Sequence, residues 1–151
     1  MDVHDQFVPD DDFRAFLEAM PQVCVEVVLE TDEGVLLAER NHEPRVWFWP
    51  GSRLYKGEEL TAAARRVGRE ELGIEIDVGE RLGVHAHFWD ADRTPEGVSR
   101  HTVNIVYRAS PAVPDAEIDL DDQHADYRFV SQPDPDFHEY VREYFAAYDL
   151  P

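Results

Sequence analysis

The sequence predicts an α+β or α/β sandwich, and three observations carry that expectation. Short β-branched and aromatic runs recur along the chain, separated by turn residues. One central segment and two terminal segments carry apolar residues at helical spacing instead. The length of 151 residues and a hydrophobic content of 43%, with 8 Phe, 6 Tyr and 3 Trp, suffice for the core of a single domain over 1–151.

Each element has a local reason. Pro9 and the acids Asp10–Asp12 open a helix in which Phe13, Phe16, Leu17 and Met20 share a side, and Pro21 ends it. Residues 23–30 read as a strand. The turn Thr31-Asp32-Glu33-Gly34 leads into a second strand, 35–40, of a probable hairpin. After a loop over 41–44, Val46-Trp47-Phe48-Trp49 forms a short apolar strand that Pro50-Gly51 stops. Residues 60–72 have a helical pattern terminated by Gly73. Strands follow at 81–89 and 101–109, joined by a polar loop with Pro95 and Gly97. A Pro- and Asp-rich connection leads to a short strand at 127–130, and an amphipathic helix at 136–148 closes the chain. Its Tyr and Phe stripe faces a core or a dimer partner.

Charge narrows the functional classes. The net charge is −19, with 33 acids against 14 bases, and Lys56 is the only lysine. Such a balance opposes nucleic acids and anionic membranes as partners, because both need surplus cations. The acids are spread along the chain rather than confined to one tail, which favours a salt-adapted surface over a simple acidic tail. Residues 40–81 form an exception, with 8 bases and 8 acids. One cysteine, Cys24, excludes an intrachain disulfide and reads as a small buried hydrophobe between two valines. No signal peptide and no run of 18 apolar residues is present, so a soluble cytoplasmic protein is expected.

Chemistry concentrates in residues 50–74, PGSRLYKGEELTAAARRVGREELGI. A tight turn leads through a loop bearing Arg53 and Lys56 into a helix with Arg65, Arg66, Arg69, Glu70 and Glu71. Mg²⁺ takes carboxylates together with substrate phosphates, and arginines bind phosphate oxygens in bidentate fashion. A metal–diphosphate site and a plain surface helix with an Arg66–Glu70 pair both satisfy these charges. The order of residues favours the first. It resembles the Nudix box, G-x5-E-x7-R-E-U-x-E-E-x-G-U, with Glu58, Arg66, Glu70, Glu71, Gly73 and Ile74 on matching positions and Ser52, Val67 and Gly68 departing. Val67 replaces a carboxylate that the usual box helix carries.

Within that superfamily the chain is most similar to the GDP-mannose mannosyl hydrolases, from about Asp12 to Tyr148. The run from Trp47 to Arg53 and the Gln123-His124 motif carry this likeness. The resemblance implies an α+β fold, an α/β/α sandwich of the Nudix type with a mixed sheet, the box loop-helix and terminal helices. It implies Mg²⁺, with Mn²⁺ as a substitute, held by the Gly51 carbonyl, Glu71 and Gln123. It implies a catalytic set of His124, Arg40, Glu26, Arg53 and Arg66, with His124 as general base for water attack at the anomeric carbon. Substrate contacts fall on Arg40, Arg53, Arg66, His87 and His101. A small-molecule nucleotide sugar is the implied partner, hydrolysed to GDP and free sugar with inversion, and a homodimer the implied assembly. Glu26 stands where the family has Asp, and Thr102 where it tends to have Tyr. An ordinary P–O–P diphosphatase and a non-catalytic nucleotide-sugar-binding domain are the alternatives. His85, His87 and His101 could also suggest a transition-metal site, though oxygen ligands for Mg²⁺ are already accounted for.

Overall fold

A computed structural model describes residues 1–42 and 44–151; of the expected loop over 41–44, Glu43 lies outside the described residues. The elements are α1 (Asp10–Ala19), β1 (Gln22–Thr31), β2 (Gly34–Arg40), β3 (Trp47–Phe48), β4 (Gly51–Arg53), α2 (Leu60–Leu72), β5 (Ile76–Trp89), β6 (Arg100–Pro111), β7 (His124–Val130) and α3 (Glu139–Ala147), with a single 3₁₀ turn at Ala91–Arg93. The mixed sheet and flanking helices of the expected α+β sandwich are present.

The β1–β2 hairpin pairs only at its turn, Glu30 with Val35 and Thr31 with Gly34. Beyond that corner the two strands diverge. Along β1, β4 runs antiparallel on one side and β6 parallel on the other, with β5 outside β6. Along β2, β3 and β7 both run antiparallel. This divergence opens a cleft between the two halves of the sheet.

Strand alternation then fills two cores. Val25, Val27 and Leu29 of β1 pack with Ala63, Ala64, Val67 and Leu72 of α2 on one face. Val28, with Val35 and Leu37 of β2, packs against Phe137, Val141 and Tyr144 on the other. The aromatic stripe of α3 therefore faces the core of its own chain. Val67 is buried in the α2-side core, so the box position that lacks its acid faces hydrocarbon.

One added strand and three starts displaced by three residues or more set the structure apart from the sequence reading. β4 is not foreshadowed, because three residues after a proline offer no alternation to detect. β5 starts at Ile76 rather than 81, since bulges between Val78 and Gly83 break the period of two. β7 starts at His124 rather than 127, where a bulge beside Arg40 admits polar residues into the ladder. α3 starts at Glu139 rather than 136, because the His138 ring caps it by accepting a bond from the Tyr140 amide.

Gly73 ends α2 in the left-handed region at φ 66°, and a Cβ there would lie 2.7 Å from the Asp119 carbonyl oxygen. The left-handed conformation alone costs an alanine about 1–2 kcal/mol. Gly73→Ala should therefore lower the thermal midpoint by roughly 5 °C or more, read by circular dichroism.

Candidate active site

The divergence of β1 and β2 leaves a cleft of about 510 Å³. Glu26, Arg40, Gly51, Arg53, Glu71, His87, Gln123 and His124 line it. These residues come from β1, β2, β4, α2, β5, the connection before β7 and the first residue of β7 itself. Two expected site residues are not brought to the cleft. His101 stacks on the exposed Phe88 at 4.6 Å on the outer side of the sheet. Strand alternation puts it opposite its buried neighbour Thr102, which does line the cleft.

Arg66 is the second. Its guanidinium is consumed within the box loop. It donates from Nε and Nη2 to the two Glu58 oxygens at 2.7 and 2.9 Å, from Nη1 to Ser52 Oγ at 3.0 Å, and from Nη2 to the Arg53 carbonyl at 2.9 Å. Burial pushes the Glu58 carboxyl up, but the bonds and charge of Arg66 and the Tyr55 amide outweigh this and leave it below its ordinary value. Arg66 thus shapes the loop that presents Gly51 and Arg53 and does not itself line the cleft.

Backbone bonds explain why residues far apart in sequence meet. The amides of Asp119 and Asp121 donate to the Leu72 and Glu71 carbonyls, tying the acidic connection to the end of α2. The Asn41 amide donates to the Gln123 carbonyl, and the Asn41 side chain donates to the Asp122 carbonyl. Gln123 and His124 are thereby held against Glu71. His124 Nδ1 lies 2.6 Å from Asp121 Oδ1, and its Nε2 lies 3.7 Å from Glu71 Oε1. A carboxylate at Nδ1 fixes the proton there and leaves Nε2 as the basic nitrogen. Asp121 was not singled out in the sequence, although it stands three residues before His124.

The acids of the cleft are strongly perturbed. Burial, followed by repulsion from Asp121, pushes the Glu71 carboxyl up to about 8, against an opposing bond from the Gly51 amide at 3.3 Å. Burial pushes Glu26 up to about 7, while the Tyr144 hydroxyl, which donates to Glu26 Oε1 at 2.5 Å, and Arg40 pull it down. Gly51 has to be glycine, since a Cβ there would meet Glu26 Cγ at 2.8 Å. The half-buried Cys24 faces the cleft rather than the core, and burial raises its thiol to about 12.

Cations oppose these acids. The Arg40 guanidinium lies 4.7 Å from the centroid of the Phe48 ring and 5.5 Å from that of Trp89, and burial lowers its pKa. Among the described residues neither Arg40 nor Arg53 forms an ion pair, which leaves both available to an anion. Arg93, from the 3₁₀ turn, and Arg100, the first residue of β6, also line the cleft, and no motif in the sequence singles them out. His85 and His87 face α3 and are separated from His101 by the sheet. Among the described residues no group of three His, Cys, Asp or Glu side chains is placed to hold a metal ion. The oxygen set Gly51, Glu71 and Gln123 contains only one such residue. No helix among the described residues is long and apolar enough to cross a membrane.

Comparison with known proteins gives the same fold and extends it. The NUDIX domain model matches residues 20–148. The "Low-salt glycan biosynthesis protein Agl8" of Haloferax volcanii is 35% identical over 145 residues, covering 94% of this chain and 91% of that protein. An "ADP-ribose pyrophosphatase" of Methanocaldococcus jannaschii is 32% identical over 97 residues, 63% of this chain and 53% of that protein. Among solved structures, a MutT NUDIX hydrolase from Burkholderia pseudomallei superposes with a TM-score of 0.68 at 26% identity, covering 85% of this chain and 98% of that one. With the box helix, the cleft and a domain match across most of its length, the chain belongs to the Nudix hydrolase family.

Proposed function

We propose that this Nudix hydrolase cleaves a GDP-sugar resembling GDP-mannose by water attack at the anomeric carbon, releasing GDP and the free sugar with inversion. The observation that carries this reading is His124, oriented by Asp121 with its basic nitrogen turned toward Glu71 at the edge of a cleft lined by Arg40 and Arg53. An imidazole in the Nδ1–H form is a base at neutral pH and suits proton removal from water.

The donor set fits a hard cation. Burial first and the neighbouring Asp121 second push the Glu71 carboxyl up, and a divalent ion would relieve that like-charge arrangement. Gly51 and Gln123 supply neutral oxygens beside it. Mg²⁺ held there by Gly51, Glu71 and Gln123, or Mn²⁺ in its place, would supply charge neutralisation for a departing diphosphate. Arg40 and Arg53 contribute positive charge of their own to the leaving group. Glu26 and His87 lie on the cleft floor, where a sugar or base would rest.

Two further observations support the choice. Val67 turns into the core, so α2 offers the cleft Glu70 and Glu71 and no third carboxylate. P–O–P cleavage in this family commonly uses the fuller acid set. The Haloferax relative is named for glycan biosynthesis, which accords with a sugar-bearing substrate, and the dispersed acidity accords with work in high salt. The name of the Methanocaldococcus relative supports the second reading, an ordinary diphosphatase.

Hydrolysis of GDP-mannose with Mg²⁺ in ¹⁸O water at high salt separates the readings by mass spectrometry. The expected result is label in the free sugar beside unlabelled GDP. Label in a phosphate product overturns carbon attack in favour of P–O–P cleavage. Failure to turn over any of a panel of nucleotide sugars favours a binding domain.

A further inference from the structure

The C-terminal helix reaches the cleft floor through two adjacent side chains. Tyr144 donates its hydroxyl proton to Glu26 Oε1. Glu143 reaches the strand beside it. Its Oε2 lies 3.2 Å from His87 Nε2, and its Oε1 lies 2.9 Å from His85 Nδ1. The other His85 nitrogen, Nε2, lies 2.6 Å from the Tyr148 hydroxyl. Gly83 makes room for that hydroxyl, since a Cβ there would lie 2.1 Å from it.

Hydrogen-bond chemistry fixes the senses. A carboxylate only accepts, so each histidine must donate to Glu143 from the nitrogen that faces it. His87 then carries its proton on Nε2 and keeps Nδ1 as an acceptor. His85 carries its proton on Nδ1 and accepts from Tyr148 at Nε2. His87 is held flat by stacking on Tyr140, with ring centroids 3.9 Å apart, and burial keeps it neutral at pH 7. The groups facing this pair are His85 on β5, His138 before α3, and Glu143, Tyr140, Tyr144 and Tyr148 from α3 and its end.

We propose that Glu143 is a positioning residue that sets His87 Nδ1 as a hydrogen-bond acceptor on the cleft floor, so that the bound ligand must present a donor there. Sugar hydroxyls and the N–H edge of a purine have that character; a ligand offering only acceptors does not. The assignment to a sugar nucleotide rests on the proposed GDP-sugar reading, whereas the proton positions do not.

The test is long-range ¹H–¹⁵N correlation spectroscopy on the full chain with Mg²⁺, using ¹⁵N-histidine and His85→Gln and His87→Gln for assignment. The expected result is opposite tautomers two residues apart, Nδ1–H at His85 and Nε2–H at His87, with the His87 tautomer unchanged when GDP-mannose is added. An Nδ1–H form at His87, free or bound, overturns the proposal. Glu143→Leu should erase the preference and lower GDP-mannose affinity about tenfold, the worth of one well-placed hydrogen bond. Should that variant not fold, Glu143→Gln serves, since its amide can donate as well as accept and should give mixed tautomers. Unaltered tautomers in the folded variant overturn the role of Glu143. If GDP-mannose neither binds nor turns over while the tautomers are as stated, the GDP-sugar reading fails and the acceptor floor stands.

Discussion

His124→Gln should lower kcat about 10²–10⁴-fold, the usual worth of a general base, while leaving divalent-metal affinity within about twofold of wild type. The substitution keeps a polar side chain at the edge of the cleft but removes the basic lone pair that Asp121 leaves on Nε2. Gly51, Glu71 and Gln123 remain in place, so metal binding measured calorimetrically with Mg²⁺ or Mn²⁺ should barely change. Turnover of GDP-mannose at saturating substrate and metal gives the other half of the measurement. Activity near wild type would remove His124 from the base role. A parallel loss of metal affinity would mean that its effect passes through Glu71, 3.7 Å away.

Arg66→Met should be the most destabilising single change in the box. Arg66 and Glu58 are almost fully buried, and removing the guanidinium strands a carboxylate together with Ser52 and the Arg53 carbonyl. Breaking a buried pair in this way costs about 3–5 kcal/mol. For a domain of this size that is a fall of roughly 10 °C in thermal midpoint. Arg66→Lys should recover only part of the loss, because an ammonium cannot span both Glu58 oxygens and the two loop acceptors together. Calorimetry checks both variants. A midpoint within about 2 °C of wild type for Arg66→Met would show that the loop holds without its central cation. A conventional reading of this arginine as a diphosphate contact predicts the reverse pattern, with stability kept and substrate affinity lost.

The two histidines expected to line a sugar pocket show how far sequence reasoning reaches. His87 lies in the cleft and His101 does not, although both are on neighbouring strands. Pairing sets His87 opposite Thr102 and Phe88 opposite His101, so the same period of two that buries His87 turns His101 outward. The register between β5 and β6 is bent by bulges and cannot be counted from sequence. Gln123 and His124 fared differently. Their place beside Glu71 is set by long-range backbone bonds that tie the acidic connection to the end of α2 and to Asn41, and only the family resemblance of the motif signals it.

By itself the sequence determined the box helix to the residue, Leu60–Leu72, its glycine stop and the hairpin turn. These are local matters: helical spacing, a left-handed cap and a turn depend on residues within one or two turns of each other. The tertiary structure alone decided which arginine is spent on the fold and which lines the cleft, since Arg53, Arg66 and Arg40 carry the same charge and differ only in their surroundings. It also brought Tyr144 to Glu26 across 118 residues and Glu143 to His87 across 56. The aromatic stripe of α3 announced a buried face, but the groups that face meets depend on how β1 and β5 are laid beneath it, which no spacing within α3 records.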